Sequence, residues 1–411
     1  MSVHTAAVTG ADPDALAKRN AWILAGAQAL GGANPAIVIS IGGLVGLMLA
    51  PREALATLPV SLLNLGLAAG IIPAAMVMRR FGRRNGYIFG GLHGVIGGSI
   101  AALGIVWGDF VMFCIGTLIA GFYGSYVQSY RFAATDAATP AFRARAISYV
   151  LAGGLAAGIL GPQVVIFTRD MVPGAMFAGS FMAQALLALI AIVVISFLRT
   201  PPIPVTAPAP SDAPTASGRP LLTIMLQPRF MIAVVAGVVS YGLMAFLMTA
   251  APMAMVECGL PLETAALGIS WHILAMFAPS FFTGKLIDRY GKEMITGIGL
   301  VLIAISAVIG LSGLTVAHFW TALILLGIGW NFGFIGATAL VTDTYRPEER
   351  TKAQAANDFI VFGSVAVASF SSGQLLDAGG WEIVNWLSFP PLAVALVLVI
   401  MQARMRRTVP A

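Results

Sequence analysis

Charged residues are scarce in this chain. Asp, Glu, Lys and Arg make up 10% of its 411 residues, whereas a soluble globular domain carries about 25%. Apolar residues make up 58%, and they are gathered in long runs separated by short polar segments. The two cysteines provide no disulfide framework. This composition excludes an ordinary soluble domain and predicts a chain that lies mostly within a lipid bilayer.

Acidic residues are absent from the centres of the apolar runs. Asp358 falls at one end of its run, and Glu257 and Glu263 fall between runs. A carboxylate relay for protons, or a counter-ion for a cationic drug, therefore has no evident position. The sequence also has no metal-ligand cluster, phosphate-binding loop or nucleophile motif. We expect no enzymatic activity, no cofactor and no metal.

The apolar runs number twelve if each membrane span takes about 20 residues. When loops alternate between the two sides, all but three of the 23 Lys and Arg fall on one side. The exceptions are Arg52 and Arg169, on the other side, and Arg131, within a span. Because basic loops stay in the cytoplasm, both termini are predicted to be cytoplasmic. The net charge of +6 thus reflects topology, and we expect no nucleic-acid partner.

A proline-rich segment separates six spans from the next six. Residues 200–220 contain seven prolines among Ser, Thr and Ala, which is typical of an extended or flexible linker. The chain is therefore divided into five parts. They are a cytoplasmic tail (1–21), a six-helix bundle (22–198), a cytoplasmic linker (199–228), a second six-helix bundle (229–402) and a cytoplasmic tail (403–411).

The two halves carry copies of the same segments. The segment from Thr135 to Arg143 has Asp second and Pro sixth, and the segment from Thr342 to Arg350 repeats this pattern. A shorter echo joins Arg80-Phe81-Gly82-Arg83 to Arg289-Tyr290-Gly291-Lys292. A membrane chain built from two similarly oriented halves is typical of transporters whose halves rock about a site between them.

The loop from Gly284 to Lys292 resembles the cytoplasmic loop motif of the major facilitator superfamily, G-x-x-x-D-R-x-G-R/K. The loop after the second span keeps the Arg, the Gly and the basic end, but Arg79 replaces the Asp. The resemblance implies an all-α membrane protein with twelve transmembrane helices in two pseudo-symmetric six-helix bundles. It also implies a latch formed by motif residues, although the basic cluster could instead only anchor the topology. These residues are Arg80, Gly82, Arg83, Gly284, Asp288, Arg289 and Gly291.

Charged residues also close the fourth and tenth spans. Asp136 and Arg143 follow the fourth span, and Asp343 and Arg350 follow the tenth. Their symmetry predicts a charge network that holds an inner gate shut while the cavity faces outward. Ordinary turn chemistry, in which an Asp precedes a Pro, is the alternative.

Arg131 is the strongest candidate for a residue that contacts the solute. Spacings of four, three and four place Gly124, Gln128, Arg131 and Thr135 on one helical face. A guanidinium within hydrocarbon needs water, a partner or an anionic ligand, and its fork suits a carboxylate or phosphate. Pairing with Asp136 or another carboxylate, or extension of the side chain to the cytoplasmic interface, remains the alternative.

Aromatic and amide side chains near the predicted midplane complete the candidate site. In the resembled fold, spans one, four, seven and ten line the cavity, and these residues fall on them. His272, in the eighth span, is a candidate proton carrier, or else a neutral His bonded to a neighbouring helix. The candidate binding residues besides Arg131 and Gln128 are Gln28, Asn34, Tyr123, Tyr241, Trp330 and Asn331.

These observations predict a secondary active transporter of the bacterial inner membrane. It would move a small neutral or anionic organic solute by alternating access, coupled to protons or a counter-solute, as a monomer. A partial Gly-Pro motif around Gly161 and Pro162 keeps open an exporter of toxic or amphipathic compounds. A membrane sensor or scaffold that retains the fold without transport is the alternative from another class.

Overall fold

The computed structural model describes residues 13–139, 142–199, 218–346 and 349–407. Pro140, Pro347 and most of the predicted linker lie outside these residues. Within them the chain forms helices and no strand, so the all-α membrane fold is confirmed. The helices are α1 (Ala15–Leu49), α2 (Leu58–Trp107), α3 (Phe110–Val127), α4 (Tyr130–Ala133), α5 (Arg143–Thr168), α6 (Ala178–Ser196), α7 (Leu221–Met225), α8 (Pro228–Glu257), α9 (Leu262–Phe277), α10 (Ser280–Tyr290), α11 (Lys292–Ser312), α12 (Val316–Val341), α13 (Arg350–Trp386) and α14 (Phe389–Arg407).

Nine segments of the described chain are long and apolar enough to cross a bilayer, or ten if α9 and α10, bent by 43°, form one span. Two of the nine, Glu53–Trp107 and Lys352–Met405, are 55 and 54 residues long. One crossing takes about 20 residues, so each of these segments can supply two. Non-helical residues interrupt both, at Gly82 and at Gly379–Gly380. The count of twelve and the orientation of the termini stay predictions that this arrangement supports.

The repeated loop motif produces the same backbone turn twice. Gly82 has φ 79° and ψ 162°, and Gly291 has φ 91° and ψ 153°. This region is essentially restricted to glycine, because a Cβ would clash with the backbone there. Each glycine reverses the chain between two consecutive membrane segments. The sequence echo around Arg80 and Arg289 is therefore also a structural echo.

Each half packs around its first long helix. In the first half α1 contacts α2, α3, α5 and α6, and in the second α8 contacts α9, α12, α13 and α14. Small residues allow the closest approaches, as expected within a membrane. A methyl group on Gly299 of α11 would lie 2.1 Å from the backbone nitrogen of Gly333 in α12. These contacts hold each half together as a helical bundle.

The described end of the linker is fastened to the second half. Arg219 places Nη2 2.7 Å from Oε2 of Glu349 and donates from Nε to Oε1 at 2.9 Å. Glu349 is buried, and the hydrogen bonds from the Arg219 side chain, with others from backbone N–H groups, hold the pKa of Glu349 well below its usual range. Lys352 adds a hydrogen bond from Nζ to the carbonyl oxygen of Gly218 at 3.0 Å. The carboxylate therefore remains ionised and anchors the start of the second half.

Polar contacts join the halves at one end of the bundle. Asn64 Nδ2 donates to Ser369 Oγ at 3.0 Å, and Thr57 Oγ1 donates to the carbonyl oxygen of Phe370 at 3.2 Å. Arg169 and Glu263 form an ion pair of 2.5 Å at the same end, which is the predicted outer face. These three contacts close the interior toward the predicted outer face.

Candidate functional site

A cavity of about 160 Å³ lies between the two halves. Residues of α1 to α5 form one wall, and residues of α8, α9 and α13 form the other. Its position on the pseudo-twofold interface is where alternating access requires a solute site. The two walls differ in chemistry, and this difference defines what the cavity can hold.

The wall from the first half carries most of the cavity's polar side chains. Gln28 of α1, Asn64 of α2, Gln128 at the end of α3 and Arg131 of α4 all line the cavity. Gln128 and Arg131 are exposed, although helices surround them, because they border this internal space. Amides both donate and accept hydrogen bonds, while a guanidinium only donates. This wall can therefore bind a solute that carries several hydroxyl or carbonyl groups.

The wall from the second half is apolar and polarizable. Tyr241, Met244 and Met248 of α8 line it together with Met276 and Phe277 of α9. Methionine adapts its shape to the partner and makes favourable contacts with aromatic rings. Such a surface suits the face of a flat aromatic group.

An aromatic cluster supports this apolar wall from behind. The ring centroid of Tyr241 lies 4.9 Å from Phe334, 5.2 Å from Trp330 and 5.5 Å from Phe362. Trp330 in turn stacks on Phe334 at 5.4 Å. The indole nitrogen of Trp330 is buried and has no hydrogen-bond partner among the described residues. These packed rings fix Tyr241 at the cavity surface.

Arg131, which lines the cavity, interacts with an opposite charge from the other half. Arg131 comes from the first half and Asp358, on α13, from the second, and their charges interact. Among the described residues no salt bridge joins them, and Arg131 lies over the Phe132 ring at 4.9 Å. Arg131 does not pair with Asp136, because Asp136 pairs with Arg83 instead. The guanidinium is therefore left with donors facing the cavity.

Only some of the predicted binding residues line the cavity. Gln28, Gln128, Arg131 and Tyr241 line the cavity together, while Trp330 stands one layer behind. Three others lie within the packed halves: Asn34, Tyr123 and Asn331. A role in binding stays a prediction for all eight.

Asn34 and Tyr123 hold helices of the first half together. Asn34 Nδ2 donates to the carbonyl oxygen of Ala120 at 2.9 Å, which ties α1 to α3. Tyr123 packs between glycines of α1 and α2. A methyl group on Gly31 would lie 2.7 Å from the Tyr123 hydroxyl, and one on Gly94 would lie 2.5 Å from its ring. Both residues therefore contribute to helix packing.

Asn331 fastens α12 to the bend between α9 and α10. Its Nδ2 donates to the carbonyl oxygen of Met276 at 2.6 Å and to Ser280 Oγ at 2.7 Å. Its Oδ1 accepts a hydrogen bond from Thr283 Oγ1 at 2.6 Å. These contacts use the amide fully and leave it no free donor for a solute in this conformation.

His272 lies within the second half and does not line the cavity. It is buried, and Nδ1 lies 2.7 Å from the carbonyl oxygen of Leu323. A carbonyl can only accept, so Nδ1 carries the proton. The other nitrogen, Nε2, has no partner among the described residues. This is the contact of a neutral His bonded to a neighbouring helix, and the proton-carrying role stays a prediction.

The predicted gate carboxylates form ion pairs within each half. Asp136 pairs with Arg83, with Nη2 and Oδ1 3.0 Å apart, and Asp343 pairs with Lys292 at 2.5 Å. Arg83 and Lys292 occupy matching positions just after the two motif glycines. The basic residues seven positions later, Arg143 and Arg350, are exposed and have no ion pair among the described residues. The pairs therefore join neighbouring helices of one half in this conformation.

The other predicted latch residues are largely exposed. Asp288 has no ion pair among the described residues, and Arg289 lies over its neighbour Tyr290 at 5.2 Å. Arg80 lies over Phe81 in the same way at 5.4 Å. A methyl group on Gly284 would meet no atom within 4 Å, so no helix approaches closely there. A latch at these residues stays a prediction.

Sequence reasoning did not single out the methionine wall or Asn64. Three methionines among 18 carry no distinguishing local pattern, because methionine is equally common in ordinary apolar cores. Asn64 could have been recognised as a candidate from the sequence, since a carboxamide within an apolar span is costly and requires a hydrogen-bond partner. Asp358 was recognised only as a residue at the end of its span.

Comparisons with known proteins agree with this architecture. The sequence model of the Major Facilitator Superfamily matches residues 21–278 and 233–410. The chain is 62% identical over 388 residues to the riboflavin transporter RfnT of Brucella anthropi, covering 94% of this chain and 96% of that protein. It is 31% identical to the uncharacterized MFS-type transporter YdeG of Bacillus subtilis, over 95% of this chain and 93% of that protein.

A solved structure of the nucleoside transporter NupG shares the fold. It superposes with a TM-score of 0.68, covering 93% of this chain and 99% of that chain, at 15% identity. At this level of identity the likeness concerns the fold alone.

Proposed function

The chain belongs to the major facilitator superfamily, and we propose that it carries riboflavin across the bacterial inner membrane by alternating access. Family membership confirms the resemblance carried by the loop from Gly284 to Lys292, and the protein is a multi-pass membrane transporter of a small organic solute. The observation that supports riboflavin as the substrate is the 62% identity to the riboflavin transporter RfnT over 94% of this chain.

The two walls of the cavity support a flavin as the solute. Riboflavin joins a flat tricyclic ring to a flexible chain of hydroxyl groups. Tyr241, Met276 and Phe277 offer the apolar surface that a flat ring requires, and Gln28, Gln128 and Arg131 offer hydrogen bonds to hydroxyl and carbonyl oxygens. The proposed pose places the ring against the second half and the hydroxyl chain against the first. Riboflavin is neutral near pH 7, so Arg131 acts in this pose as a hydrogen-bond donor.

The cavity must widen to accept this solute. Sites for drug-sized ligands measure about 300–1,000 Å³, whereas the cavity here has about 160 Å³. Hydrogen bonds and an ion pair join the halves at the predicted outer end, and this supports widening by separation at the cytoplasmic end. Binding in such a transporter would hold the halves around the solute before the outer contacts open.

Transport by purified protein in liposomes tests this function. Liposomes loaded with unlabelled riboflavin receive external radiolabelled riboflavin, and exchange is followed against liposomes without protein. We expect protein-dependent exchange that excess riboflavin suppresses and that a nucleoside, which shares only the sugar-like part, suppresses weakly. Folded protein that neither binds nor exchanges riboflavin would contradict the proposal. Exchange of unrelated amphipathic compounds in its place would favour the exporter, and binding without exchange would favour the sensor.

A further inference from the structure

A groove in the second half lies outside the central cavity. It has a volume of about 620 Å³ and runs between α8, α13 and α14. Its lining includes Gly242 of α8, Gly363 and Leu375 of α13 and Pro391 of α14. We propose that this groove binds one acyl chain of a bilayer phospholipid.

The groove opens toward the membrane. Phe359 and Val367, one turn to either side of Gly363, are 72% and 65% exposed, and both line it. The lining reaches from Phe359 to Leu375 along α13, which is about 24 Å at 1.5 Å per residue. The hydrocarbon core of a bilayer is about 30 Å thick. An occupant of this groove therefore lies at the depth of the lipid chains.

The chemistry of the groove fits a hydrocarbon chain. Its lining is apolar except for Ser364, whose hydroxyl donates to the carbonyl oxygen of Ile360 at 2.7 Å. The groove therefore offers no free hydrogen-bond donor to a polar solute. The groove and the central cavity share no lining residue, and Tyr241 lines only the cavity. The transported solute and the occupant of the groove are thus different molecules.

The matching helix pair of the first half is packed closed. A methyl group on Gly153 of α5 would lie 2.2 Å from the carbonyl oxygen of Ala25 in α1. In the second half a methyl group on Gly242 would lie 3.9 Å from the nearest atom, and one on Gly363 would meet nothing within 4 Å. Because empty apolar space forfeits dispersion contacts, the open pair requires an occupant that the closed pair lacks.

Substitution of Gly363 tests the site. Purified protein is washed in detergent, and the phospholipid that stays bound is quantified by mass spectrometry. We expect about one phospholipid per chain in the wild type and a several-fold loss in Gly363→Leu, whose side chain fills the groove. The control is Gly297→Leu, since Gly297 on α11 also has no atom within 4 Å of an added methyl group and lies beside the exposed Ile298. It should keep its lipid.

Three results would overturn the proposal. The first is that Gly363→Leu retains as much phospholipid as the wild type, and the second is that Gly297→Leu loses as much as Gly363→Leu. The third is a lipid-free dimer in light scattering, which would mean that a second copy of the chain occupies the groove. Should Gly363→Leu fail to fold, Ser364→Leu fills the same groove. Added phospholipid should also raise the unfolding temperature of the wild type more than that of the groove variant.

Discussion

Arg131 of the first half and Asp358 of the second lie near enough for their charges to interact, without a salt bridge between them among the described residues. A charge within the membrane is tolerated when it meets water or an opposite charge. The distant carboxylate stabilises the guanidinium and leaves its N–H groups available. This arrangement accounts for an arginine within a span of a transporter whose proposed solute is neutral.

Removing the Arg131 guanidinium should weaken riboflavin transport. A hydrogen bond from a charged group contributes about 1.5–3 kcal/mol, so Arg131→Ala should lower exchange at limiting riboflavin by about 10–100-fold. Arg131→Lys should retain part of the activity, because it keeps the charge without the fork. Arg404→Ala, an exposed arginine at the end of α14, is the control. Wild-type exchange by folded Arg131→Ala would remove this residue from the site.

A disulfide across the closed end should stop transport. An added Cβ on Gly373 would lie 2.9 Å from the Cβ of Thr57. The two Cβ atoms of a disulfide are about 3.5–4.5 Å apart, so the two segments need to shift only slightly to form the bond. In a background without Cys114 and Cys258, Thr57→Cys with Gly373→Cys should cross-link on oxidation. Exchange should fall to the level of empty liposomes and return with reductant. The single-cysteine variants control for the substitutions, and full exchange by the oxidised protein would refute alternating access at this end.

The two motif glycines should be far less replaceable than Gly284. Gly82 and Gly291 have positive φ, and such strain costs a non-glycine residue about 1–3 kcal/mol. Gly82→Ala and Gly291→Ala should therefore lower the unfolding temperature. Gly284→Ala adds a methyl group into open space within a helix and should be neutral or stabilise by about 0.5–1 kcal/mol. Equal effects at all three positions would show that the turn geometry is not what these glycines provide.

The paired charges of each half should be exchangeable. The Lys292 and Asp343 side chains are 25% and 40% exposed, so their coupling should be about 0.2–1 kcal/mol. A double-mutant cycle on unfolding temperature should show that Lys292→Asp with Asp343→Lys recovers part of the loss from either single change. Exchanging the charges of Arg83 and Asp136 should likewise recover part of the stability lost in either single variant. Additive losses would mean that the pair contributes nothing to stability.

Replacing His272 by asparagine should leave the pH profile of transport unchanged. An asparagine side chain does not titrate, and the Nδ2 that His272→Asn introduces can donate to the Leu323 carbonyl as the histidine Nδ1 does at 2.7 Å. Exchange is measured from about pH 5 to 8, the range in which a histidine changes its charge, in wild-type and variant liposomes. A folded variant whose transport loses a pH dependence seen in the wild type would restore His272 as a proton carrier.

Most of the fold could be predicted because the bilayer restricts the choices. Apolar runs long enough to cross it must form helices, since their backbone groups find no water. The echo of Gly82 and Gly291 predicted a repeated loop, and their shared backbone conformation has the same cause. The partners of Asp136 and Asp343 were harder to predict. Arg143 is close in sequence, but Arg83, far away in the chain, comes to the same end of the half when α2 and α3 pack together.

The amino-acid sequence by itself determined the membrane class, the duplication and the helical architecture, because hydrophobic length and repeated motifs act locally along the chain. Only the tertiary structure decided which polar residues share a cavity. Asn331 and Gln128 look alike as amides within apolar spans, yet one is fully used in helix packing and the other is exposed to the cavity. The physical reason is that each helix has one face toward the interface and another toward its own half. The rotation of each helix about its axis decides which of these two faces a side chain lies on, and this rotation depends on the contacts with all neighbouring helices together.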